Sequence, residues 1–366
     1  MSYFDHNATT PLDGRVLAAM LPYLQSLYGN PTSLYRLGRI ARTAIDCARE
    51  QVAALVGVTA GQVIFTSGGT EANHLAFAGL NTGARFALSG IEHPSVLQQA
   101  ARLQSQGCHW LKLDVSGNGL LHRDTLARLK AFKPELVSMM LANNETGTLE
   151  DVRHYAHALR ADDIIVHTDA VQALGKIPVA FADLAVHLMS LSSHKIYGPK
   201  GCGALVYAKD IPITPLLVGG GQEQGHRAGT ENVAAIVGFG KAAELALAEL
   251  DDNRRHVATL KADLEQSLKT LPGLTIFAEQ APRLPNTVQF GIDGIDGEML
   301  LMNLDKQGIA VSSGSACASG GSEPSPVLIA MGIAPEQAKT AVRVSLGKDN
   351  TEADVIAFIH CLKTLI

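Results

Sequence analysis

Short apolar runs alternate with longer amphipathic stretches over the first two thirds of the chain. The apolar runs predict strands at residues 63–66, 86–88, 136–141, 164–168, 188–191 and 204–207. Apolar residues at helical spacing fill the stretches between them, at 15–27, 37–56, 70–80, 94–106 and 152–160. Strands that are separated by helices predict an α/β fold with a mainly parallel sheet that is covered on both faces.

The pattern changes in the last third of the chain. Residues 231–271 show one long helical pattern, and shorter strands and helices mix after it. Such a mixture predicts a smaller α+β unit. We therefore expect a large α/β domain at 15–250 and a small α+β domain formed by 1–14 and 251–366.

Composition narrows the class of protein. The 366 residues are 46% hydrophobic and 18% charged, with a formal net charge of -5 and no run of basic residues, which argues against nucleic acid or an anionic membrane as the partner. No apolar stretch reaches the ~20 residues of a membrane span, and the first residues lack the features of a secretion signal. Five scattered cysteines without a CxxC pair favour a reducing, cytoplasmic setting. No spacing predicts a metal site.

The stretch with the most unusual chemistry surrounds Lys195. A buried strand at 186–191 is followed by Ser192, Ser193, His194 and Lys195, and then by a Gly/Pro-rich turn. A desolvated lysine loses its proton more readily, and a neutral amine can form a Schiff base. The alternative is that Lys195 ends a strand and points into water.

A glycine-rich turn at 66–70 connects a predicted strand to a predicted helix, for which Thr70 is the expected N-cap. Free backbone N–H groups and the positive end of the helix dipole favour an anion at such a place. The turn contains neither a P-loop nor a GxGxxG pattern. It is therefore either a phosphate site or an ordinary turn.

Asp169 follows the β-branched run at 164–168, and Gln172 comes three residues later. A carboxylate at that depth needs a partner. It is either a helix N-cap, part of a buried ion pair, or the counter-ion of a protonated ring nitrogen. Asp169 and Lys195 end neighbouring predicted strands, so that both can face one cofactor.

Cys317 lies in a segment, at about 312–323, that consists almost entirely of small residues. Such a segment packs poorly and predicts a mobile loop that carries a reactive thiol. The other four cysteines are expected to be buried and structural, namely Cys47, Cys108, Cys202 and Cys361.

Ten motifs in order resemble the cysteine desulfurases of the NifS/IscS type, which belong to the class V aminotransferase group of fold-type I pyridoxal-phosphate enzymes. The motifs include FTSGGTEANHLA, HTDAVQALGK, SSHKIYGPKG, GGGQEQGHRAGTEN, SSGSACASG and VRVSLG, and they cover nearly the whole chain. The resemblance implies a mainly parallel seven-stranded sheet in the large domain and bound pyridoxal 5'-phosphate.

The resemblance also implies roles for the residues that hold the cofactor. Lys195 matches the lysine that binds pyridoxal phosphate covalently, Asp169 the partner of the ring nitrogen, and Gln172 the partner of the ring 3-oxygen. His93 matches the histidine stacked on the ring. Four further residues match the phosphate cup: Gly69, Thr70, Ser192 and His194.

The remaining matches concern the substrate, the nucleophile and a second subunit. Asn144 matches a residue near ring and substrate, Arg343 the anchor of the substrate carboxylate, and Cys317 the nucleophile. Thr230 matches a phosphate contact from the other subunit, which implies a homodimer. Taken singly, His93 is equally a helix-start residue, Asn144 a turn residue and Arg343 part of a surface ion pair.

The implied reaction converts L-cysteine to L-alanine and leaves the sulfur as a persulfide on Cys317, for transfer to an acceptor protein. The acceptor stays open between iron–sulfur assembly, in which a scaffold protein takes the sulfur, and thiolation. Two other readings remain: a selenocysteine lyase or aminotransferase of the same fold, and a non-catalytic sulfur-carrier scaffold.

Overall fold

The computed structural model describes residues 1–313 and 323–366. The strands in this part of the chain are β1 (Ser2–Tyr3), β2 (Val63–Thr66), β3 (Arg85–Ser89), β4 (His109–Leu113), β5 (Leu136–Ser138), β6 (Ile165–Asp169), β7 (Leu188–Ser192), β8 (Gly203–Tyr207), β9 (Leu274–Ile276), β10 (Thr287–Ile292), β11 (Ile309–Ala310), β12 (Ser312–Ser313) and β13 (Val342–Ser345).

The helices cover both sheets. They are α1 (Gly14–Gln25), α2 (Arg36–Leu55), α3 (Gly69–Ala76), α4 (Pro94–Ser105), α5 (Thr125–Phe132), α6 (Val152–Leu159), α7 (Phe181–Leu184), α8 (Val233–Ala248), α9 (Leu250–Leu268), α10 (Gly297–Lys306), α11 (Pro326–Ala330), α12 (Pro335–Ala338) and α13 (Glu352–Leu365). Short 3₁₀ turns lie between some of them, including one at Ser193–Lys195.

The prediction of an α/β fold with a mainly parallel sheet is confirmed. Seven strands pair in the order β2-β8-β7-β6-β5-β3-β4. Only β8 runs against its two neighbours, and the other pairs are parallel. Apolar side chains of α1, α2 and α8 pack on one face, and those of α3 and α4 pack on the other. Both faces are therefore buried, as parallel sheets require.

The pairing of β6 with β7 fixes where the polar residues lie. Asp169 ends β6 and is in register with Ser190 of β7, which itself ends at Ser192. Since the two strands are parallel, Asp169 and the turn that carries Lys195 emerge at the same edge of the sheet. The loops after β3 and β5 leave the sheet at this edge too.

A second, four-stranded sheet has the order β12-β13-β10-β9, and its pairs are antiparallel. It has its own core, in which Phe4, Leu264, Phe290 and Phe358 are buried. The N-terminal residues join it, because β1 pairs with β11 in a parallel ribbon. The expected domain boundary near residue 250 falls between α8 and α9, and the division into two domains stays a prediction.

Four local predictions were wrong. The helical pattern at 231–271 is two helices, which meet at Glu249. The residue before α3 is Gly68, so that Thr70 lies inside the first turn and is not the N-cap. Cys47 is exposed although we expected it to be buried. The edge strand β4 was missed because its side chains are only partly buried, which blurs the apolar pattern.

Among residues 1–313 and 323–366, no helix combines the length and the apolar character that crossing a bilayer demands.

A buried ion pair holds the edge strand β2 against α2. Arg49 donates from Nη1 and Nη2 to the two carboxylate oxygens of Glu223, at 2.6 and 2.7 Å, and from Nη1 to the carbonyl oxygen of Val63 at 2.8 Å. Glu223 also accepts the backbone N–H of Phe65 at 2.8 Å. One carboxylate therefore satisfies a buried guanidinium and an otherwise unpaired N–H of an edge strand.

We predict that Glu223→Ala destabilises the protein by about 3–5 kcal/mol, because it leaves the buried Arg49 charge without its partner. Thermal or urea unfolding, followed by circular dichroism, measures the change. Glu244→Ala removes the exposed pair with Lys241 and is the control, for which we expect about 0–1 kcal/mol. Equal effects of the two substitutions would contradict this account.

Candidate active site

A cavity of about 330 Å³ opens at the edge of the sheet where β6 and β7 end. Ten of the residues singled out in the sequence line it: Gly69, Thr70, His93, Asn144, Asp169, Gln172, Ser192, His194, Lys195 and Arg343. Six further residues complete the lining: Asn7, Ala8, Asn73, Ser95, Met140 and Val171. The structure thus brings together distant parts of the chain. Asn7 and Arg343, which both line the cavity, are 336 positions apart (343 − 7).

Lys195 is held by the N-terminal segment rather than by water. Its Nζ donates to the carbonyl oxygen of Asn7 and, at 2.7 Å, to that of Ala8. The lysine follows β7 on a 3₁₀ turn, and the side chain is half-buried in the cavity wall. The Lys195 amine therefore lies at the cavity, and two backbone carbonyl groups fix its position.

Asp169 is buried and is held by two donors. Asn73 Nδ2 donates to one carboxylate oxygen at 2.8 Å, and the backbone N–H of Val171 donates to the other at 3.0 Å. These bonds fix the carboxylate at the end of β6 and leave lone pairs for a cationic group in the cavity. Asn73 also donates to Ser95 Oγ at 2.8 Å, which links Asp169 to the start of α4.

His93 is both the N-cap of α4 and a residue of the cavity wall. Its Nδ1 accepts the backbone N–H of Ser95 at 3.1 Å and lies 2.8 Å from Ser95 Oγ. Burial lowers the pKa of His93 below its usual value, the Asp169 carboxylate opposes this, and the Lys195 ammonium adds to it. Because Nδ1 accepts a hydrogen bond, the neutral ring carries its proton on Nε2.

An anion-binding corner lies where α3 begins. Gly69 and Thr70 form the first turn of α3, whose N–H groups lack helical acceptors. Ser192 Oγ is buried and has no hydrogen-bond partner among the described residues. His194 Nδ1 lies 3.1 Å from Thr9 Oγ1, and burial together with the lysines at positions 195, 200 and 176 lowers the pKa of His194 to about 4. An unsatisfied buried hydroxyl indicates a missing acceptor, and a phosphate provides one.

Close packing at this corner depends on two glycines. A Cβ on Gly203 would lie 2.6 Å from the backbone of Gly68, so that β8 can approach the turn only with glycine at this position. A Cβ on Gly69 would lie 3.0 Å from Val171 Cγ2. Gly69 therefore leaves the space that the valine side chain takes.

Arg343 lies on β13 and is buried, in contrast to the surface position considered from the sequence alone. Nη2 pairs with Asp5 at 2.7 Å, Nη1 donates to the carbonyl oxygen of Asn144 at 2.9 Å, and Nε is buried without a partner among the described residues. The guanidinium is thus held from two sides and keeps hydrogen-bonding capacity for an anion in the cavity.

The N-terminal segment was missed as part of the site. Asn7 and Ala8 line the cavity, and Asn7 donates to Ser345 on the small sheet and accepts from Gln172 in the turn after β6. The only signal in the sequence was the motif YFDHNATTPLD, because a turn-rich segment carries no periodicity that indicates its long-range partners. Asn73 and Ser95 also line the cavity and were missed, since no pattern in the sequence links them to Asp169.

One predicted residue does not line the cavity, and another lies outside the described residues. Thr230 is exposed and does not line the cavity of this chain. Cys317 lies outside the described residues, and so does the rest of 314–322. The roles assigned to the individual site residues stay predictions.

Comparison with known proteins places the chain. The family model for aminotransferase class-V matches residues 2–358. A cysteine desulfurase IscS of Methanosarcina thermophila is 42% identical over 369 residues, which cover 100% of this chain and 91% of the relative. An X-ray structure of a NifS-like protein from Rickettsia africae has a TM-score of 0.92 and 35% identity, with 100% and 99% of the two chains covered.

A second similar structure is described as SspA in complex with cysteine. It has a TM-score of 0.82 and 29% identity, and the match covers 96% of this chain and 100% of that one. With matches of this length and identity, the α/β architecture is that of the fold-type I pyridoxal-phosphate enzymes. The chain therefore belongs to the aminotransferase class-V family and, within it, to the cysteine desulfurases of the NifS/IscS type.

Proposed function

We propose that this chain takes the sulfur of free L-cysteine, releases L-alanine and holds the sulfur as a persulfide on Cys317. The observation that carries the proposal is the cavity that joins Lys195, Asp169 and Arg343. It occurs in a chain that is 42% identical along its full length to a cysteine desulfurase IscS.

The cofactor of this family is pyridoxal 5'-phosphate, and the residues present fit it. The unpartnered Ser192 hydroxyl and the first turn of α3 suit its phosphate. The fixed carboxylate of Asp169 suits its ring nitrogen, and the amine of Lys195 suits its aldehyde. When bound, the cofactor supplies an electron-accepting ring that makes the Cα proton of an amino acid acidic.

Two side chains can move protons at the cavity. Lys195 Nζ is held by Asn7 and Ala8 and is the group that takes the Cα proton from the substrate. The lowered pKa of His93 keeps its imidazole neutral near pH 7. Because Nδ1 accepts from Ser95 and the proton is on Nε2, His93 can donate this proton at the cavity and take it back. Both groups face the same space, which Asp169 closes from the end of β6.

Arg343 is proposed to bind the carboxylate of the substrate. Its pairing with Asp5 and with the Asn144 carbonyl fixes the plane of the guanidinium. A fixed guanidinium that retains donors binds a carboxylate with little loss of side-chain freedom. Asn144 then lies beside substrate and arginine together.

Cys317 is proposed as the nucleophile, and the described ends of its segment support this. Ser312 pairs with Arg343 across β12 and β13. Ser325 donates to Glu145 at 2.5 Å, and Glu145 follows the cavity residue Asn144. Four residue steps separate Ser313 from Cys317, which an extended chain spans in at most ~14 Å.

The sulfur step conserves atoms and electrons. The Cys317 thiolate forms a bond to the sulfur of the substrate while the carbon–sulfur bond of the substrate breaks. The electron pair of that bond stays on the carbon, and a proton completes the methyl group of alanine. The product on the chain is a persulfide, which a thiol of an acceptor protein can take over by exchange.

The pathway beyond the persulfide is proposed only by class. A sulfur-acceptor protein, such as an iron–sulfur scaffold, is the expected partner, and the expected location is the cytoplasm. Selenocysteine lyase activity on the same site would use the same residues. Aminotransfer would leave Cys317 without a role.

We also propose that the protein acts as a homodimer with shared sites. Thr230 is exposed in the single chain and lies outside its own cavity wall. Large apolar side chains are exposed at Tyr28, Leu34 and Val218, at 76%, 88% and 83%. Exposed apolar groups of this size are typical of a contact surface. A second copy of the chain would cover them and receive Thr230 at its phosphate corner.

The first prediction for this function concerns Cys317→Ala. We expect normal binding of pyridoxal phosphate and at least a ~10³-fold loss of sulfide release from cysteine under reducing conditions, because the nucleophile is missing. Sulfide and alanine are measured, and bound cofactor is followed by its yellow absorbance. Cys47→Ala, at an exposed thiol on α2, is the control and should keep full activity. Sulfide release by Cys317→Ala at the wild-type rate would reject the assignment.

The second prediction concerns Arg343→Lys. A single ammonium cannot replace the two-pronged contact, and hydrogen bonds to charged groups contribute about 1.5–3 kcal/mol, so that KM for cysteine should rise about tenfold or more. Steady-state kinetics measures KM and kcat separately. Arg283→Lys changes another buried arginine, which pairs with Glu265, and should leave KM unchanged. An unaltered KM in Arg343→Lys would remove Arg343 from the substrate site.

The third prediction tests the shared sites by mixing two variants. Lys195→Ala should abolish activity and Thr230→Ala should weaken it, and mixed dimers should regain activity well above either parent. In a mixed dimer, one site contains Lys195 of one chain and Thr230 of the other. The measurement is sulfide release after co-expression, with sedimentation to establish the dimer. No recovery in a proven mixed dimer would show that Thr230 does not serve the partner's site.

A further inference from the structure

A second lysine, Lys176, lies behind the wall of the cavity and has no role in the reaction proposed above. It follows Gly175, whose φ of +70° ends the turn that begins after Asp169. Lys176 Nζ donates to Gln172 Oε1 at 2.8 Å and to Asn7 Oδ1 at 2.9 Å. It does not line the main cavity, although both of its partners do.

The bond to Gln172 decides which way round the side-chain amide of Gln172 lies. A lysine ammonium donates and cannot accept, so it requires the oxygen of the amide on its side. The nitrogen of the amide then points the other way, where Nε2 donates to the carbonyl oxygen of Asn7 at 2.9 Å. An amide nitrogen has two hydrogens, and the second one remains for an acceptor in the cavity that Gln172 lines.

We propose that Lys176 is a positioning residue, which makes Gln172 a hydrogen-bond donor toward the cofactor and excludes the flipped amide. In the flipped orientation, Gln172 would present a carbonyl oxygen to the ring 3-oxygen, and two acceptors would face each other. The inference rests on the proposed function, because it takes pyridoxal phosphate as the occupant of the cavity.

The same amine also positions Asn7, whose backbone oxygen holds both Gln172 and Lys195. Burial lowers the pKa of Lys176 well below its ordinary value, and the charges of Lys195 and Arg343 lower it further. A neutral amine still carries two hydrogens, one for each of its two acceptors. Only the charged amine, which has no lone pair, excludes the flipped amide, so the positioning is complete while Lys176 is protonated.

The experiment titrates the absorbance of the cofactor in the loaded enzyme with pH. In Lys176→Met the Asn7 carbonyl oxygen still favours the present orientation of the Gln172 amide, but the flipped orientation is no longer excluded, and in it the ring oxygen has no donor. A ring 3-oxygen without a hydrogen-bond donor is more basic and holds the proton that it shares with the neighbouring nitrogen more tightly. The midpoint of the absorbance titration should therefore rise by about one pH unit. Lys176→Arg keeps a side chain that only donates, and its midpoint should stay near that of the wild type.

A double-mutant cycle with Gln172→Ala distinguishes a positioning role of Lys176 from a general disturbance of the structure. If Lys176 acts through Gln172, the double variant Lys176→Met/Gln172→Ala should titrate like Gln172→Ala alone. Lys261→Met is the matched control, because Lys261 is another partly buried lysine and donates to the carbonyl oxygen of Leu284, outside the cavity wall. It should leave the midpoint unchanged while thermal unfolding reports its effect on stability.

The outcomes separate this inference from the proposed function. A wild-type midpoint in Lys176→Met, or a further shift on adding Lys176→Met to Gln172→Ala, would overturn the role of Lys176 alone. Should Lys176→Met fail to fold, a Lys176→Arg midpoint displaced as far as that of Gln172→Ala would overturn it equally. A wild-type chain that binds no pyridoxal phosphate would contradict the proposed function and this inference together.

Discussion

The structure depends on one buried asparagine in the N-terminal segment. Asn7 receives Lys176 and Asn286 on its side-chain oxygen and donates from its side-chain nitrogen to Thr287 Oγ1 and the Asn144 carbonyl. Its backbone N–H donates to Ser345 Oγ, and its carbonyl holds Gln172 and Lys195. Every polar group of a fully buried residue is thus satisfied, as burial requires. Because its partners lie on the small sheet and in the segments that follow β5, β6 and β7 of the large sheet, Asn7 connects the two parts of the structure beside the cavity.

This constraint explains how cations come to be concentrated at one edge of the sheet. Lys195 and Arg343 lie close enough to lower the pKa of Lys176, and Asp5 and Asp169 are nearby carboxylates. Such an arrangement would be unfavourable if the amines were left in apolar surroundings. Here carbonyl and amide oxygens take up their hydrogens, so that the positive potential remains available to a ligand. A cavity of this kind favours anionic ligands, which agrees with a phosphate at one end and a carboxylate at the other.

The sequence was sufficient to predict which site residues lie together where each of them follows a recognisable strand. Asp169 and Lys195 end neighbouring strands, and the strand pattern alone predicted that they meet. It was insufficient where a contact joins distant segments that carry no periodic pattern. Asn7 illustrates this, since its partners lie between 137 and 338 positions away. Arg343 looked like a surface residue for the same reason, because Asp5 and Asn144 lie far from it in the chain. The predicted N-cap, Thr70, was two residues too late, because Gly68 precedes α3 as an N-cap without a side-chain hydrogen bond.

The two ends of the cavity are built by different principles. The phosphate corner consists of backbone and small side chains on the large sheet, where α3 starts and β7 ends, so its geometry is set by packing that involves Gly203 and Gly69. The carboxylate end consists of Arg343 on the small sheet, which lines the cavity and is held there by Asp5 and by the Asn144 carbonyl. A change in the relative position of the two sheets would therefore move the substrate anchor and leave the phosphate corner intact. Since Ser312 pairs with Arg343, β12 would move together with the proposed substrate anchor.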